Sequence, residues 1–173
     1  MRHIQKPLEG EYDPYTIMYI KLVPDDGLVL QNLADNFERV KAAIMPLSEA
    51  QLTTPHQDGE WTIKEILVHI MDDERIFAYR ALRAARADQT PLPGFEQDDY
   101  IVPSQANDRS LESIFEEYHA LRMATITLFK HLPDDALMRT ITANNHPVSV
   151  RALVYHIAGH ELHHLVSIQE NYL

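Results

Sequence analysis

Apolar residues recur at intervals of three and four along much of the chain, and this spacing is typical of amphipathic α-helices. A first helix is predicted over about residues 27–46, after an acidic segment at 25–27 that offers an N-cap. A second helix is predicted from Thr62, where Thr62 and Glu65 form a capping box, to about residue 87.

Two further helices are predicted in the C-terminal half of the chain. The third covers about residues 110–131 and stops at Pro133. The fourth begins after Ser149, which is placed to act as its N-cap. Alternation of apolar and polar residues, the mark of a half-buried strand, is nowhere long enough to predict one.

The remaining segments are predicted to be irregular. Residues 1–24 form an N-terminal arm with one short helix around 15–19, and 88–109 is a long, proline-rich loop. Residues 133–148 form a second connector with a helical turn at about 134–138. We therefore expect an all-α four-helix bundle with long inter-helix connections, and a single domain over residues 1–173.

Composition narrows the possible functions. The chain has no cysteine, which excludes disulfides, thiolate metal ligands and a cysteine nucleophile. Acidic residues outnumber basic ones by 26 to 15, so the net charge of −11 disfavours a nucleic-acid partner. Neither a secretory signal at residues 1–7 nor a membrane-spanning apolar run is evident, which predicts a cytoplasmic protein without a membrane partner.

Histidines are the most unusual feature of the composition. Four of the ten fall between His156 and His164, inside the fourth predicted helix. At about 100° per residue, His160 and His164 lie together near the centre of its apolar stripe, whereas His156 and His163 fall on the flank. Two imidazoles directed into a core need partners, because burying unpaired polar groups is costly.

A divalent metal ion would satisfy both rings, and neutral imidazole is a common metal ligand. The alternative is a pair of core histidines bonded to carboxylates or to water. A third ligand would have to come from elsewhere in the chain. His69 lies at the edge of the apolar stripe of the second helix, a position that also suits an ordinary half-buried histidine.

Residues 160–164 also match the zincin pattern H-E-x-x-H, with Glu161 as a possible general base. The context of a zincin is missing, because only nine residues follow His164 and no further ligand helix fits there. Glu161 is instead expected at the rim of the inner face or in solvent.

Three segments together resemble the DinB-like superfamily. They are residues 60–70 with Glu74 and Arg80, the histidine-rich segment 156–164, and the arm around 11–20. The resemblance implies a four-helix bundle, often a homodimer, with one divalent metal ion held by His69, His160 and His164. Zinc or nickel would be the first expectation for the metal, with iron or manganese as alternatives.

Relatives of this kind transfer low-molecular-weight thiols such as bacillithiol or mycothiol, or use them in isomerisation. The resemblance therefore implies a metal-dependent thiol S-transferase that acts on a small-molecule electrophile. A metal-dependent hydrolase and a non-catalytic metal-binding stress-response protein are the alternatives. Asp73, Glu74 and Arg80 are the candidate catalytic residues, and Asp73, one turn after His69, could orient a ligand ring.

Overall fold

Four long helices and several short elements make up residues 2–173, which a computed structural model describes. The helices are α1 (Ile17–Ile20), α2 (Val29–Ile44), α3 (Glu49–Thr53), α4 (Ile63–Ala85), α5 (Asp98–Ser104), α6 (Leu111–Lys130), α7 (Asp134–Leu137) and α8 (Val150–Asn171). The strands β1 (Thr140–Ala143) and β2 (His146–Ser149) pair in antiparallel fashion, and 3-10 turns cover Pro14–Thr16 and Ala106–Asp108. The predicted four-helix bundle, formed by α2, α4, α6 and α8, is confirmed.

The predicted helix starts are confirmed for two of the long helices. Thr62 caps α4 and forms the reciprocal capping box with Glu65, and the Ser149 side chain accepts the backbone N–H of Ala152 at the start of α8. The expected acidic N-cap of α2 was wrong. Leu28 occupies that position without a side-chain cap, while Asp26 accepts the backbone N–H of Leu28 at 2.8 Å.

The connectors contain more structure than the sequence predicted. The expectation of no strands was wrong: β1 and β2 form a hairpin whose two-residue turn, Asn144 and Asn145, has φ of +50° and +66°. Asparagine tolerates this left-handed conformation, as two-residue hairpin turns require. The segment predicted as a loop over 88–109 contains α5 and a 3-10 turn, and Leu92 forms a bridge to Ala143.

The core consists of two apolar halves, at opposite ends of the bundle. One half holds the N-terminal parts of α2 and α8 with the C-terminal parts of α4 and α6, and the other half holds the remaining parts. The helices α4 and α6 therefore run parallel to each other and antiparallel to α2 and α8. This topology explains the long connection between α4 and α6, which must return along the length of the bundle.

A buried polar layer separates the two apolar halves. Its central residue is Arg122 on α6, which donates to Glu74 of α4 at 2.9 Å and to Glu161 of α8 at 3.0 Å. Tyr118 also donates to Glu161, whose side chain is fully buried. The expectation that Glu161 lies at the rim or in solvent was wrong, because a cation on α6 compensates its charge within the core.

No helix within residues 2–173 is both long enough and apolar enough to cross a lipid bilayer.

Candidate metal centre

The packing of α4 against α8 brings three histidines together. His160 Nε2 lies 3.1 Å from His69 Nε2 and 3.1 Å from His164 Nε2. The two histidines of α8 are one turn apart on one face of that helix. The packing of α4 against α8 is more extensive than that of any other pair of helices in residues 2–173. His69 and His160 are buried, and His164 is partly exposed.

Burial lowers the pKa of each of the three imidazole rings. It lowers the pKa of His69 and that of His160, although the nearby carboxylate of Asp73 opposes this. Burial also lowers the pKa of His164, to about 3. The imidazoles are therefore neutral at physiological pH and present lone pairs, as a metal ligand must.

Asp73 and His156 lie behind His160. Asp73 Oδ2 is 3.5 Å from His160 Nδ1 and 3.2 Å from His156 Nε2. His156 is buried and stacks on Phe77 with ring centroids 3.6 Å apart, so it lies outside the group of three. A carboxylate at the Nδ1 side of His160 favours the tautomer that leaves Nε2 free.

Two aromatic residues that the sequence analysis missed complete the surroundings. Tyr19 of the arm meets the rings of His156 and His160 edge-on at 5.1 and 5.2 Å, and Trp61 lies 4.8 Å from His69. Gly159 allows the arm to approach α8 this closely, since a Cβ there would lie 2.2 Å from the backbone oxygen of Tyr19. A glycine inside a helix, next to His160, was the available signal.

Two cavities open beside the three histidines. The first, of about 300 Å³, is lined by His160, Asp73 and Arg80, and the second, of about 380 Å³, by His164. Gln97 and Asp98, at the start of α5, line both cavities. The loop that the sequence analysis singled out therefore contributes to the walls around the histidines.

The candidate catalytic residues are divided between two environments. Asp73 and Arg80 line the first cavity, whereas Glu74 binds Arg122 inside the polar layer. Glu161, the possible base of the zincin pattern, belongs to the same network and pairs with Arg122. The carboxylates of Glu74 and Glu161 thus satisfy a buried cation, and they are not among the residues lining the first cavity.

The donor set suits a divalent metal ion. Three neutral imidazoles are ligands for zinc, nickel, copper or iron, and three protein ligands leave coordination positions for water or substrate. Within residues 2–173, the three histidines are the one group of three or more potential ligands whose donor atoms all lie within 4.8 Å of one another.

Comparisons with known proteins agree with this architecture. A relative from Oceanobacillus iheyensis, named "Putative metal-dependent hydrolase OB0413", is 24% identical over 142 residues, which cover 81% of each chain. A second, from Geobacillus thermodenitrificans, carries the name "Putative metal-dependent hydrolase" and is 23% identical over 135 residues, covering 76% of this chain and 75% of its own.

Two solved structures share the fold. YfiT from Bacillus subtilis, described as a probable metal-dependent hydrolase with an unusual four-helix bundle topology, superposes with a TM-score of 0.75 at 18% identity over 94% of this chain and 92% of its own. A mycothiol-dependent maleylpyruvate isomerase superposes with a TM-score of 0.67 at 12% identity, over 85% and 61% of the two chains. The sequence model of the DinB superfamily matches residues 32–168, and the chain belongs to that superfamily.

Proposed function

We propose that His69, His160 and His164 bind one divalent metal ion and that the protein is a metal-dependent enzyme, most simply a thiol S-transferase. The observation that carries the proposal is the position of the three converging histidines, of which His160 lines one open cavity and His164 the other. A structural metal site is normally closed by protein ligands, whereas a catalytic one keeps a position open.

The presence of two cavities favours group transfer. His160 faces one cavity and His164 the other, so two reactants could approach the same centre from different sides. A divalent ion bound there would lower the pKa of a thiol or of water and thereby supply a nucleophile at neutral pH. The chain has no cysteine, so a thiol would have to be a cosubstrate.

The protein side chains would hold and orient the reactants. Asp73 Oδ2 lies 3.5 Å from His160 Nδ1, and the rings of Tyr19 and Trp61 lie against those of His160 and His69. Tyr19 lines the first cavity and Trp61 the second, so both aromatic side chains contribute to the walls that would hold the reactants.

A metal-dependent hydrolase is the second candidate, and the names of the relatives from Oceanobacillus and Geobacillus favour it. Hydrolysis would require one organic substrate, with water as the second reactant. The two candidates therefore differ in whether turnover requires an added thiol.

Metal content tests the first step of the proposal. Protein purified without an affinity tag should contain about one equivalent of metal by elemental analysis, and His160→Ala and His164→Ala should each lose most of it. His163→Ala is the matched control, because His163 neighbours His164 but is not one of the three converging histidines. Unchanged metal content in the His160 and His164 variants would contradict the proposal.

Turnover tests the second step. A panel of electrophiles should be incubated with the metal-loaded protein and with bacillithiol, mycothiol or no thiol. Consumption of an electrophile that requires both metal and thiol supports the transferase, and consumption with metal alone supports the hydrolase. Metal-loaded protein that leaves every electrophile unchanged would favour a non-catalytic metal-binding role.

A further inference from the structure

Arg80 is a buried cation, and no carboxylate among residues 2–173 forms a salt bridge with it. Its side chain lines the first cavity and the residue is only 6% exposed. Within residues 2–173, its one hydrogen bond to protein runs from Nη2 to the backbone oxygen of Pro93, at 3.0 Å. Arg122, by contrast, binds two carboxylates. Because a buried charge is costly unless it is paired, Arg80 is poised to bind an anion.

The surroundings of Arg80 fix the orientation of its guanidinium group. The ring of Phe77 lies 4.8 Å from the central carbon of that group, and the ring of Phe95 lies 5.8 Å from it. The rings favour a cation, but they accept no conventional hydrogen bond. The donors that Pro93 does not use therefore remain available to a ligand in the cavity that Arg80 lines.

Arg80 and His69 lie along one face of α4. Asp73, Phe77 and Arg80 follow His69 at intervals that keep all four on that face, and eleven residues correspond to roughly 16 Å along the helix axis. The first cavity extends from His160 past Asp73 and Phe77 to Arg80. Its volume of about 300 Å³ suits a small metabolite.

We propose that the first cavity binds a small organic acid whose single carboxylate pairs with Arg80 and whose reacting group lies beside His160. The identity of the reacting end rests on the proposed function, whereas the carboxylate site does not. A planar carboxylate matches the fork of N–H donors of a guanidinium. Asp13, Glu96 and Asp98 also line the cavity, so a monoanion is favoured over a phosphate dianion.

A ligand series of graded length tests the proposal. Cobalt-loaded protein should be titrated with ω-mercaptoalkanoates of increasing chain length and with the matching neutral ω-mercaptoalkanols, and thiol binding should be followed by the absorption of cobalt. We expect the acid to bind at least about tenfold more tightly than the alcohol at the length that reaches Arg80. Equal affinities of acid and alcohol at every length would overturn the proposal.

Substitution of Arg80 identifies the group responsible. Arg80→Gln should abolish the advantage of the acids and leave the alcohols unchanged, and Arg80→Lys, which keeps the charge but lacks the fork, should lose most of it. Arg83→Gln is the matched control, because Arg83 lies on the same helix and pairs with Asp88. Melting curves and cobalt content would verify that each variant is folded and loaded. If folded Arg80→Gln still bound the acids more tightly than the alcohols, the assignment of the carboxylate site to Arg80 would be refuted.

A metal-free titration separates this proposal from the proposed function. Straight-chain alkanoates and inorganic phosphate should be added to the metal-free protein and to its Arg80→Gln variant, with heat as the readout. Alkanoate binding that requires Arg80 supports the carboxylate site even if no thiol binds the cobalt protein, a result that would count only against the proposed function. Tighter binding of phosphate than of any alkanoate, or no alkanoate binding, would contradict the carboxylate assignment.

Discussion

Arg122 links its own helix, α6, to the other three long helices through ionic and hydrogen-bonding contacts. It donates to Glu74 and Glu161 and to the backbone oxygen of Leu33, while Tyr118 donates to Glu161. Burial raises the pKa of Glu161, although the hydrogen bonds and charge of Arg122 oppose it. The guanidinium group thus supplies the counter-charge for two carboxylates inside the core.

Removal of this cation should be strongly destabilising. Arg122→Met is expected to lower the free energy of unfolding at pH 7 by about 3–5 kcal/mol, because two buried carboxylates lose their counter-charge. Burial already raises the pKa of Glu161, and loss of the opposing cation would raise it further, so the deficit should shrink as the pH falls and Glu161 becomes protonated. Urea unfolding at several pH values measures both effects.

Arg75→Met is the matched control. Arg75 lies on the same helix as Glu74, but its side chain is 42% exposed and pairs with Glu117 at the surface. Its loss should cost less than about 1 kcal/mol. Similar losses for the two variants would show that the buried network contributes no more than a surface ion pair.

At the residue scale, the sequence predicted part of the candidate site. Helical geometry placed His160 and His164 on one inner face, since both belong to one helix of regular period. The prediction that His69 is a metal ligand depended on the family resemblance, because this residue lies only at the edge of the apolar stripe of its helix. Tyr19 could not be predicted, because residues 1–24 show no helical period that would indicate where the arm packs. The burial of Glu161 depends on a partner in another helix, Arg122.

At the scale of elements, the short helix α1 positions the aromatic cover of the histidines. It packs on α8 where Gly159 leaves room, and this contact places Tyr19 against His156 and His160. The arm is thus part of the site's architecture, although its sequence predicts little structure.

Substitution of Gly159 tests the contact between α1 and α8, because the sign of the change in stability depends on that contact. Alanine in place of glycine inside a helix ordinarily stabilises it by about 0.5–1 kcal/mol. In Gly159→Ala the new Cβ would meet the backbone oxygen of Tyr19, so we expect a destabilisation of about 1–3 kcal/mol. Thermal unfolding and limited proteolysis of the arm provide the measurements, and a stabilised variant would contradict the close approach.

A second contact anchors the arm at the start of α8. The Glu11 carboxylate accepts hydrogen bonds from Ser149 Oγ and Arg151 Nε, both at 2.7 Å. Burial alone would raise the pKa of Glu11, but these bonds and one from the backbone N–H of Leu8 outweigh it, and the pKa is lowered. Glu11 therefore stabilises the fold above its unfolded pKa, and this contribution disappears as the pH falls through the lower folded value.

Glu11→Gln should reveal that dependence. At pH 7 we expect the variant to be about 1–2 kcal/mol less stable than the parent, because charge-assisted hydrogen bonds are lost. The difference should shrink as the pH falls below 4.5, the ordinary pKa of glutamate. Urea unfolding at pH 7 and below pH 4.5 is the measurement. Substitution of the exposed neighbour, Glu9→Gln, is the control. A stability difference between variant and parent that does not change with pH would exclude the ionised carboxylate of Glu11 as the source of the stabilisation.

Elements with strong local signals were predicted well, and those that depend on distant contacts were not. The capping motifs at Thr62 and Ser149 marked the starts of α4 and α8 because they act within one turn. The strands β1 and β2 are four residues each, too short to show alternation, and were missed. The paired asparagines of their turn were the available signal.

At the scale of the whole molecule, the candidate metal centre joins α4 to α8 across 91 residues of chain. If a metal ion binds there, it stabilises the native state in proportion to the logarithm of its concentration over its dissociation constant. At a hundredfold excess this amounts to about 2.7 kcal/mol.

Removal of the metal should therefore lower the melting temperature. Chelation is expected to shift it downward by roughly 5–10 °C, from about 2–4 °C per kcal/mol for a chain of this size. Hydrogen exchange should accelerate in both α4 and α8, because the ion would hold the two helices together. His160→Ala should melt at the same temperature with and without chelator. A chelator shift that survives in this variant would place the metal elsewhere.

The two long helices that carry the histidines are deeply packed in the bundle. Much of the wall of the first cavity instead comes from the arm, the segment before α5 and the β1–β2 hairpin. Surface segments of this kind accept insertions and substitutions far more readily than a bundle core does. Substitutions in these segments could therefore change which substrate the cavity binds and leave the three histidines in place. The fold of this chain is likewise shared by proteins whose names differ as much as hydrolase and isomerase.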